Sequence, residues 1–265
     1  MFESISSVHN PRIKNLVRLR DGHHRRRQNR FLIEGFREIQ RALLAHWPLE
    51  CLFFCEDLFT EPEAYDLLES LDSRSCEILR LSPQAFRKCA FRQGPDGLLA
   101  TATQRLTPLD QLPLSPTPLL VVLEAVEKPG NVGAVFRSAN AAGADALILA
   151  NPVTDPFNPN AIRASQGAFF QLPFAQATNA ELLPFLASRG ISPIPTSPNG
   201  DSLLWEAPLR EATALLLGTE ETGLSRLWLE GKTSYRLPMK GTTDSLNLAS
   251  TATVALFEAV RQRSL

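Results

Sequence analysis

Short apolar runs alternate with amphipathic segments along most of the chain. In the first hundred residues this alternation predicts strands at 31–34, 49–54, 76–81 and 98–101. Helical spacing predicts helices at 36–44 and 61–71, and Ser82 before Pro83 is a start signal for another helix that runs to Cys89. The pattern therefore predicts a small α/β domain over residues 1–103.

A proline-rich stretch separates this region from a second one. Thr107-Pro108, Pro113, Pro116 and Pro118 have few apolar residues between them, which predicts a stiff linker over residues 104–118. Beyond it, apolar runs predict strands at 119–123, 146–150, 191–195, 214–217 and 235–238, with helical patterns between them. Strands and helices that alternate at this spacing predict an α/β fold with a parallel sheet covered on both faces, which binds ligands beyond the carboxyl ends of its strands.

Composition narrows the class of protein. The 44% hydrophobic content of the 265 residues is enough for packed cores, and there is neither a run of about 18 apolar residues nor a secretory leader. We therefore expect a cytoplasmic protein. The four cysteines lack CxxC spacing and predict reduced core thiols, with a disulfide or a metal as the alternative and no metal expected: Cys51, Cys55, Cys76 and Cys89.

Histidine is absent from the last two hundred residues, so chemistry there must use other groups. Although the net charge is −1, the N-terminal region is basic. Up to Arg30 it contains eight basic residues and only two acidic ones, Glu3 and Asp21. That run predicts either a phosphate-binding face or a solvated basic helix. Its candidate RNA contacts are Arg12, Lys14, Arg18, Arg25, Arg26 and Arg27.

A first motif, Pro-Gly-Asn-Val-Gly-Ala-Val-Phe-Arg-Ser-Ala-Asn, follows the predicted strand at 119–123. Its proline and glycine make a turn, Asn131 can cap a new helix, and Gly133 allows close packing. Arg137 lies one helical turn beyond Gly133, where it adds positive charge near a helix start that can bind anions. The alternative is a turn and helix that serve packing alone. The motif is neither a G-x-G-x-x-G dinucleotide motif nor a P-loop.

A second motif, Leu-Gly-Thr-Glu-Glu-Thr-Gly-Leu-Ser, closes the predicted strand at 214–217. Gly218 would let backbone touch a ligand, and Glu220 offers an acceptor to a ribose or a cation; the alternative is an ordinary acidic loop. A third motif runs from Leu237-Pro238-Met239 to Ser245-Leu246-Asn247, where it opens a helix to about Arg263. Its polar residues could serve only as helix caps.

These three motifs, in this order, resemble the signature motifs of the SpoU (TrmH-like) RNA ribose methyltransferases of the SPOUT superfamily. The resemblance extends over nearly the whole chain, because Asn10-Pro11, the basic stretch and Phe31-Leu32-Ile33-Glu34-Gly35 are similar to the family's N-terminal substrate-binding domain. The turn at 93–97 and the segment Arg163-Ala164-Ser165-Gln166-Gly167-Ala168 also match. Lys128, Ser138 and Thr219 depart from residues common in the family, which puts substrate choice in doubt before activity.

The resemblance implies a fold and an activity. It implies a catalytic domain at 119–265 with a C-terminal trefoil knot, a ribosomal-protein-like RNA-binding domain before it, and a homodimer with active sites at the subunit interface. The activity would be 2′-O-methylation of a ribose in RNA by S-adenosylmethionine, with ribosomal RNA expected before transfer RNA. The alternative is a non-catalytic RNA-binding or ribosome assembly factor. A dinucleotide-dependent oxidoreductase lacks support because the glycine motif is missing.

The resemblance also implies site residues. The cofactor set would be Thr196, Leu217, Gly218, Leu237, Met239, Leu246 and Asn247, and the catalytic set would be Arg137, Asn131, Glu220, Ser245 and Asn247. Arg163 joins the RNA contacts. Because a guanidinium stays protonated, Arg137 is expected to stabilise negative charge rather than to act as a base. A fragment that starts near Thr107 is expected to fold and bind cofactor but to lose RNA affinity.

Overall fold

A computed structural model describes residues 2–71 and 76–265, and contacts along the chain divide it into two compact units. The first unit comprises Met1–Arg105 and Pro156–Gln171, and the second comprises Leu106–Asp155 and Leu172–Leu265. This division groups residues 156–171 with the first unit, whereas the sequence pattern groups them with the second.

The described residues form short strands and helices in regular alternation. The strands are β1 (Glu3–Ile5), β2 (Arg30–Glu34), β3 (Leu49–Phe54), β4 (Glu77–Leu81), β5 (Leu98–Thr103), β6 (Leu119–Glu124), β7 (Ala146–Ala150), β8 (Phe174–Ala177), β9 (Ser192–Pro195), β10 (Ser202–Leu203), β11 (Thr213–Leu217) and β12 (Tyr235–Arg236). The helices are α1 (Pro11–Arg18), α2 (Gly22–Gln28), α3 (Phe36–Leu44), α4 (Ala64–Ser70), α5 (Pro83–Cys89), α6 (Pro129–Ala141), α7 (Pro159–Ser165), α8 (Asn179–Ser188), α9 (Arg226–Leu229) and α10 (Leu248–Arg263). None of these helices is both long and apolar enough to span a membrane.

The first unit is built on a mixed sheet with the strand order β1-β4-β3-β5-β2. The predicted limits of α3 and β3 are confirmed, and Ser82 caps α5 by accepting from the amide of Ala85. The helix predicted at 61–71 is shorter, because Glu61 and Pro62 form turns before Ala64. All four cysteines are free and buried, as expected for core thiols.

Residues 156–171 complete the core of the first unit. They form α7 and a 3₁₀ turn at Ala168–Phe170, which the sequence pattern did not predict. Phe157, Phe169 and Phe170 pack with Phe31 and Trp47, and ring centroids of neighbouring pairs lie 5.0–6.4 Å apart. Aromatic groups packed this closely bury a large apolar area, so this segment is part of the unit's core.

The second unit contains a fully parallel sheet with the order β8-β7-β6-β11-β9, which confirms the predicted fold class. The strands β6, β7 and β11 are buried throughout because helices cover both faces of such a sheet. The strand β8 was not predicted. The prediction of a sheet strand at 235–238 is wrong, because β12 spans only Tyr235–Arg236 and pairs with β10 outside this sheet, and Pro238 has no amide to donate to a ladder.

Candidate active site

A cleft of about 300 Å³ lies where the strands β9 and β11 of the second unit end. Parallel strands bring their carboxyl ends to one edge, so the loops after Pro195 and Leu217 meet there. The cleft is lined by all seven residues of the expected cofactor set: Thr196, Leu217, Gly218, Leu237, Met239, Leu246 and Asn247. Of the expected catalytic set, Glu220, Ser245 and Asn247 line it as well.

The walls of this cleft combine apolar side chains with a fixed backbone. Met239 and Leu246 are 38% and 40% exposed, which for large apolar side chains in a concave surface is typical of a ligand site. The hydroxyl of Thr196 donates to the carbonyl of Leu216 at 2.8 Å, and the amide of Ser197 donates to the carbonyl of Tyr235 at 2.9 Å. These bonds hold the two sides of the cleft at a set separation.

One cluster of hydrogen bonds joins the three sequence motifs. The amide Nδ2 of Asn131 donates to Oε1 of Glu220 at 3.2 Å, and Nδ2 of Asn247 donates to the same oxygen at 2.7 Å. Asn247 also donates to Oδ1 of Asn131 at 3.2 Å, and Lys128 forms an ion pair with Oε2 of Glu220. The hydrogen bond from Lys128 and then that from Asn131 hold the pKa of Glu220 below its ordinary value. Glu220 therefore stays ionised and fixes the three motifs against one another.

Asn131 does not cap its helix, which corrects the expectation from the sequence. The helix α6 begins at Pro129 with Lys128 in the N-cap position, so the side chain of Asn131 is free to reach Glu220. Asn247 has the capping role at α10, where its Oδ1 accepts from the amide of Ala249 at 2.9 Å. A single side chain thus starts the last helix and binds the cluster.

Arg137 does not join the cleft. It is exposed on α6, about two turns after Asn131, and no other side chain in residues 2–71 and 76–265 bonds to it. On the next position of the helix, the hydroxyls of Ser138 and Thr253 lie 2.6 Å apart and tie α6 to α10. The structure therefore brings four of the five expected catalytic residues to the cleft and its rim, and leaves Arg137 outside it.

Gly218 lines the cleft and is also required by the loop itself. A Cβ at this position would lie 2.0 Å from the carbonyl carbon of Gly223. The backbones of Thr219 and Gly223 exchange hydrogen bonds of 3.1 and 3.2 Å, which close the loop directly over Gly218. A side chain at 218 would force this loop open.

A buried polar network behind the loop was missed by sequence reasoning. Glu124 is 4% exposed at the end of β6 and accepts from the amide of Ser225 at 2.8 Å and from its hydroxyl at 2.7 Å. It also accepts from Nδ2 of Asn179, whose Oδ1 accepts from the indole of Trp228 at 3.2 Å. An acidic residue at the end of a wholly apolar run is the signal that could have identified it.

The expected RNA contacts of the first unit differ in their exposure and in the bonds that they already form. Lys14, Arg18, Arg26 and Arg27 are exposed, as is Arg163 on α7. Arg12 forms an ion pair with Glu77 at 2.7 Å. The expectation for Arg25 is wrong: it is 1% exposed, and its guanidinium donates to the carbonyls of Leu19 and Arg20 at 3.0 and 2.7 Å, so it holds the turn between α1 and α2.

Comparisons with known proteins match both regions of the chain. Residues 118–257 match the model of the SpoU rRNA Methylase family, and residues 10–100 match the MRM3-like substrate binding domain. A solved RNA 2′-O ribose methyltransferase is 41% identical with a TM-score of 0.87, and the match covers 99% of this chain and 100% of that one.

Two further matches come from Streptomyces viridochromogenes. A 23S rRNA (uridine(2479)-2′-O)-methyltransferase is 30% identical over 247 residues, which are 90% of this chain and 85% of that protein. The SpoU methyltransferase AviRb, solved in complex with the cofactor AdoMet, is 29% identical with a TM-score of 0.88 and coverage of 97% and 99%.

Proposed function

The chain belongs to the SpoU rRNA methylase family, and from this premise we propose that it transfers the methyl group of S-adenosylmethionine to a ribose 2′-hydroxyl of ribosomal RNA. The observation that supports this most directly is the meeting of three separate motifs at one cleft through Glu220, Asn131 and Asn247. The relatives named as 23S rRNA methyltransferases favour ribosomal over transfer RNA as substrate.

The cleft fits the cofactor by the chemistry of its walls. Leu217, Leu237 and Leu246 provide an apolar slot suited to a flat adenine ring, and the backbone of the surrounding loops provides directional polar groups. Thr196 and Met239 complete the walls. When bound, the cofactor supplies an electrophilic methyl group on a sulfonium, so the protein has to orient an oxygen in line with it.

In this proposal, Arg137 acts on the 2′-hydroxyl of the substrate ribose. As the ribose oxygen bonds to carbon, the hydroxyl proton passes to solvent, and a permanently protonated guanidinium stabilises the negative charge that develops on the oxygen. Asn131, Glu220, Ser245 and Asn247 orient the ribose and hold the loops. Histidine is absent from this unit, which supports an electrostatic role for Arg137 over a dedicated imidazole base.

The position of Arg137 supports a homodimer. Because this side chain is exposed outside its own cleft, a second copy of the chain can bring its Arg137 to the site, as the family resemblance implies. The trefoil knot of the C-terminal segment and a cytoplasmic location belong to the same proposal. Sedimentation analysis of the purified protein tests the dimer directly.

The decisive experiment supplies methyl-labelled S-adenosylmethionine to the purified protein with a transcript of 23S ribosomal RNA, and then subjects the RNA to alkali. A 2′-O-methyl group blocks attack of that oxygen on the adjacent phosphate, so the expected product is label in an alkali-resistant dinucleotide. Label in alkali-sensitive nucleotides would contradict ribose methylation. Binding to RNA without any transfer would favour the non-catalytic alternative.

A further inference from the structure

We propose that Arg37 and Arg41 on α3, together with the turn at Gln166-Gly167, form a second RNA phosphate-binding surface on the first unit, separate from the basic N-terminal run. This inference rests on the proposed function, because it assigns a contact to the same RNA substrate. It also gives a role to residues 156–171, which pack with the first unit although the chain order places them inside the region matched by the methylase family.

The two arginines are held in place by the turn. Arg37 donates from Nη1 to Oε1 of Gln166 at 3.3 Å. Gly167 has a φ of +87°, and a Cβ there would lie 2.5 Å from Cγ of Arg41, so the aliphatic part of Arg41 rests on a glycine that no other residue can replace without displacing it. Both guanidinium groups are thereby kept at the surface, and both residues are exposed.

The electrostatics of this surface are unbalanced. Arg37 and Arg41 are four residues apart on one helix, and like charges at that spacing repel each other. In the described residues neither forms an ion pair. The nearby Glu38 is 3% exposed, and its ion pair is with Arg92 at 3.5 Å rather than with either of the two arginines. The segment 156–171 contributes Arg163 and no acidic residue.

The chemistry of the surface fits a phosphate backbone. Arginine offers a planar fork of donors that matches phosphate oxygens, and two of them one helical turn apart can contact neighbouring phosphates. Leu44, which is 65% exposed one turn after Arg41, adds an apolar contact suited to a sugar face. The exposed cations Lys14, Arg18, Arg26 and Arg27 of the same unit favour RNA over an acidic protein as the partner.

The test compares the double variant R37A/R41A with R87A/K88A, which removes the same charge from exposed positions of α5 in the same unit. The probe is a 23S rRNA transcript, titrated at several salt concentrations with the full-length proteins. For R37A/R41A we expect RNA affinity to fall roughly 10- to 100-fold. The slope of log affinity against log salt should flatten by about 1.4 to 1.8, since each lost phosphate contact removes about 0.7 to 0.9. In the control R87A/K88A, the RNA affinity and the salt slope should each change by only a small fraction of these amounts.

A second variant tests the geometry without removing an arginine. Q166E places a carboxylate next to Arg37, where it competes with phosphate, so it should also weaken RNA binding, while Q166A should affect it less. Cofactor affinity, measured by calorimetry, should stay unchanged in all of these variants, because the cleft belongs to the second unit. Urea unfolding curves that match the wild type show that the altered first unit is folded.

Three results would overturn the proposal. The first is wild-type RNA affinity and salt slope in R37A/R41A, and the second is an equal loss in the control pair. The third is lost binding to poly-glutamate with RNA binding intact, which would assign the surface to an acidic protein. A failure of the proposed function is distinguishable, because the wild-type protein would then transfer no methyl group to the transcript, whatever the effect of R37A/R41A on RNA binding.

Discussion

Replacing Glu124 by alanine tests whether the buried network behind the cleft supports the loop that carries Glu220. The substitution removes a carboxylate that is 4% exposed and accepts from three donors. These are the side-chain Nδ2 of Asn179, the backbone amide of Ser225 and the hydroxyl of Ser225. Hydrogen bonds to a charged group each contribute about 1.5 to 3 kcal/mol, and buried donors left without a partner keep their desolvation cost. Because effects on shared partners are not additive, we expect a loss of about 3 to 5 kcal/mol in the free energy of unfolding.

The measurement is urea unfolding followed by circular dichroism, with Ser225→Ala as the matched control. The control removes only the hydroxyl donor and leaves the backbone amide bonded, so about 1 kcal/mol is expected. Folded Glu124→Ala should also bind S-adenosylmethionine more weakly, since Ser225 ends the loop that begins at Gly218 beside the cleft. A variant that unfolds within about 1 kcal/mol of the wild type would refute the assigned role of the network.

Three further outcomes are expected. Arg137→Ala should abolish methyl transfer and leave cofactor affinity within a few fold, because the side chain lies outside the cleft; near-normal turnover in the labelled-methyl assay would remove it from the mechanism. Gly218→Ala should lower both cofactor affinity and melting temperature, because its Cβ meets the backbone of Gly223; unchanged calorimetry would contradict this packing. Burial raises the pKa of Glu38 above its ordinary value of 4.5, so the folded state binds this proton more tightly than the unfolded state and stability falls as pH rises through the raised pKa. Glu38→Gln should therefore gain stability relative to the wild type as pH rises above this ordinary value, and parallel urea unfolding curves at several pH values measure the difference. A difference that is the same at every pH would contradict this prediction.

The sequence predicted the elements whose pattern is local. The amphipathic repeat of α3 and the apolar runs of β3 and β7 fix their limits without help from the rest of the chain. The strand β8 was missed because it has four residues, one of them Gln176, and is a strand only through its pairing with β7. The run at 235–238 was predicted as a strand of this sheet, because its pattern could not reveal that its partner is β10 outside the sheet.

For the candidate site, the sequence predicted which residues lie there better than it predicted how they contact one another. Motif order identified the residues around the cleft, but not that Asn131 would leave its own helix start to bind Glu220. Charge counting placed Arg25 among the RNA contacts, since a sequence does not show that backbone carbonyls bind a guanidinium in the interior. The expectation that a fragment from Thr107 folds by itself also needs revision, because it would retain Phe169 and its neighbours without Phe31 and Trp47.

Because residues 156–171 belong to the first unit, the core of that unit cannot be complete until these residues have been synthesised. The core around Phe31 lacks Phe157, Phe169 and Phe170 until those residues leave the ribosome, although Thr103 of its last sheet strand emerged long before. Residues 106–155 come between, and at about 5 to 20 residues per second they take several seconds to make. During that interval the nascent first unit exposes aromatic surface, so it is then that a chaperone would have most to bind.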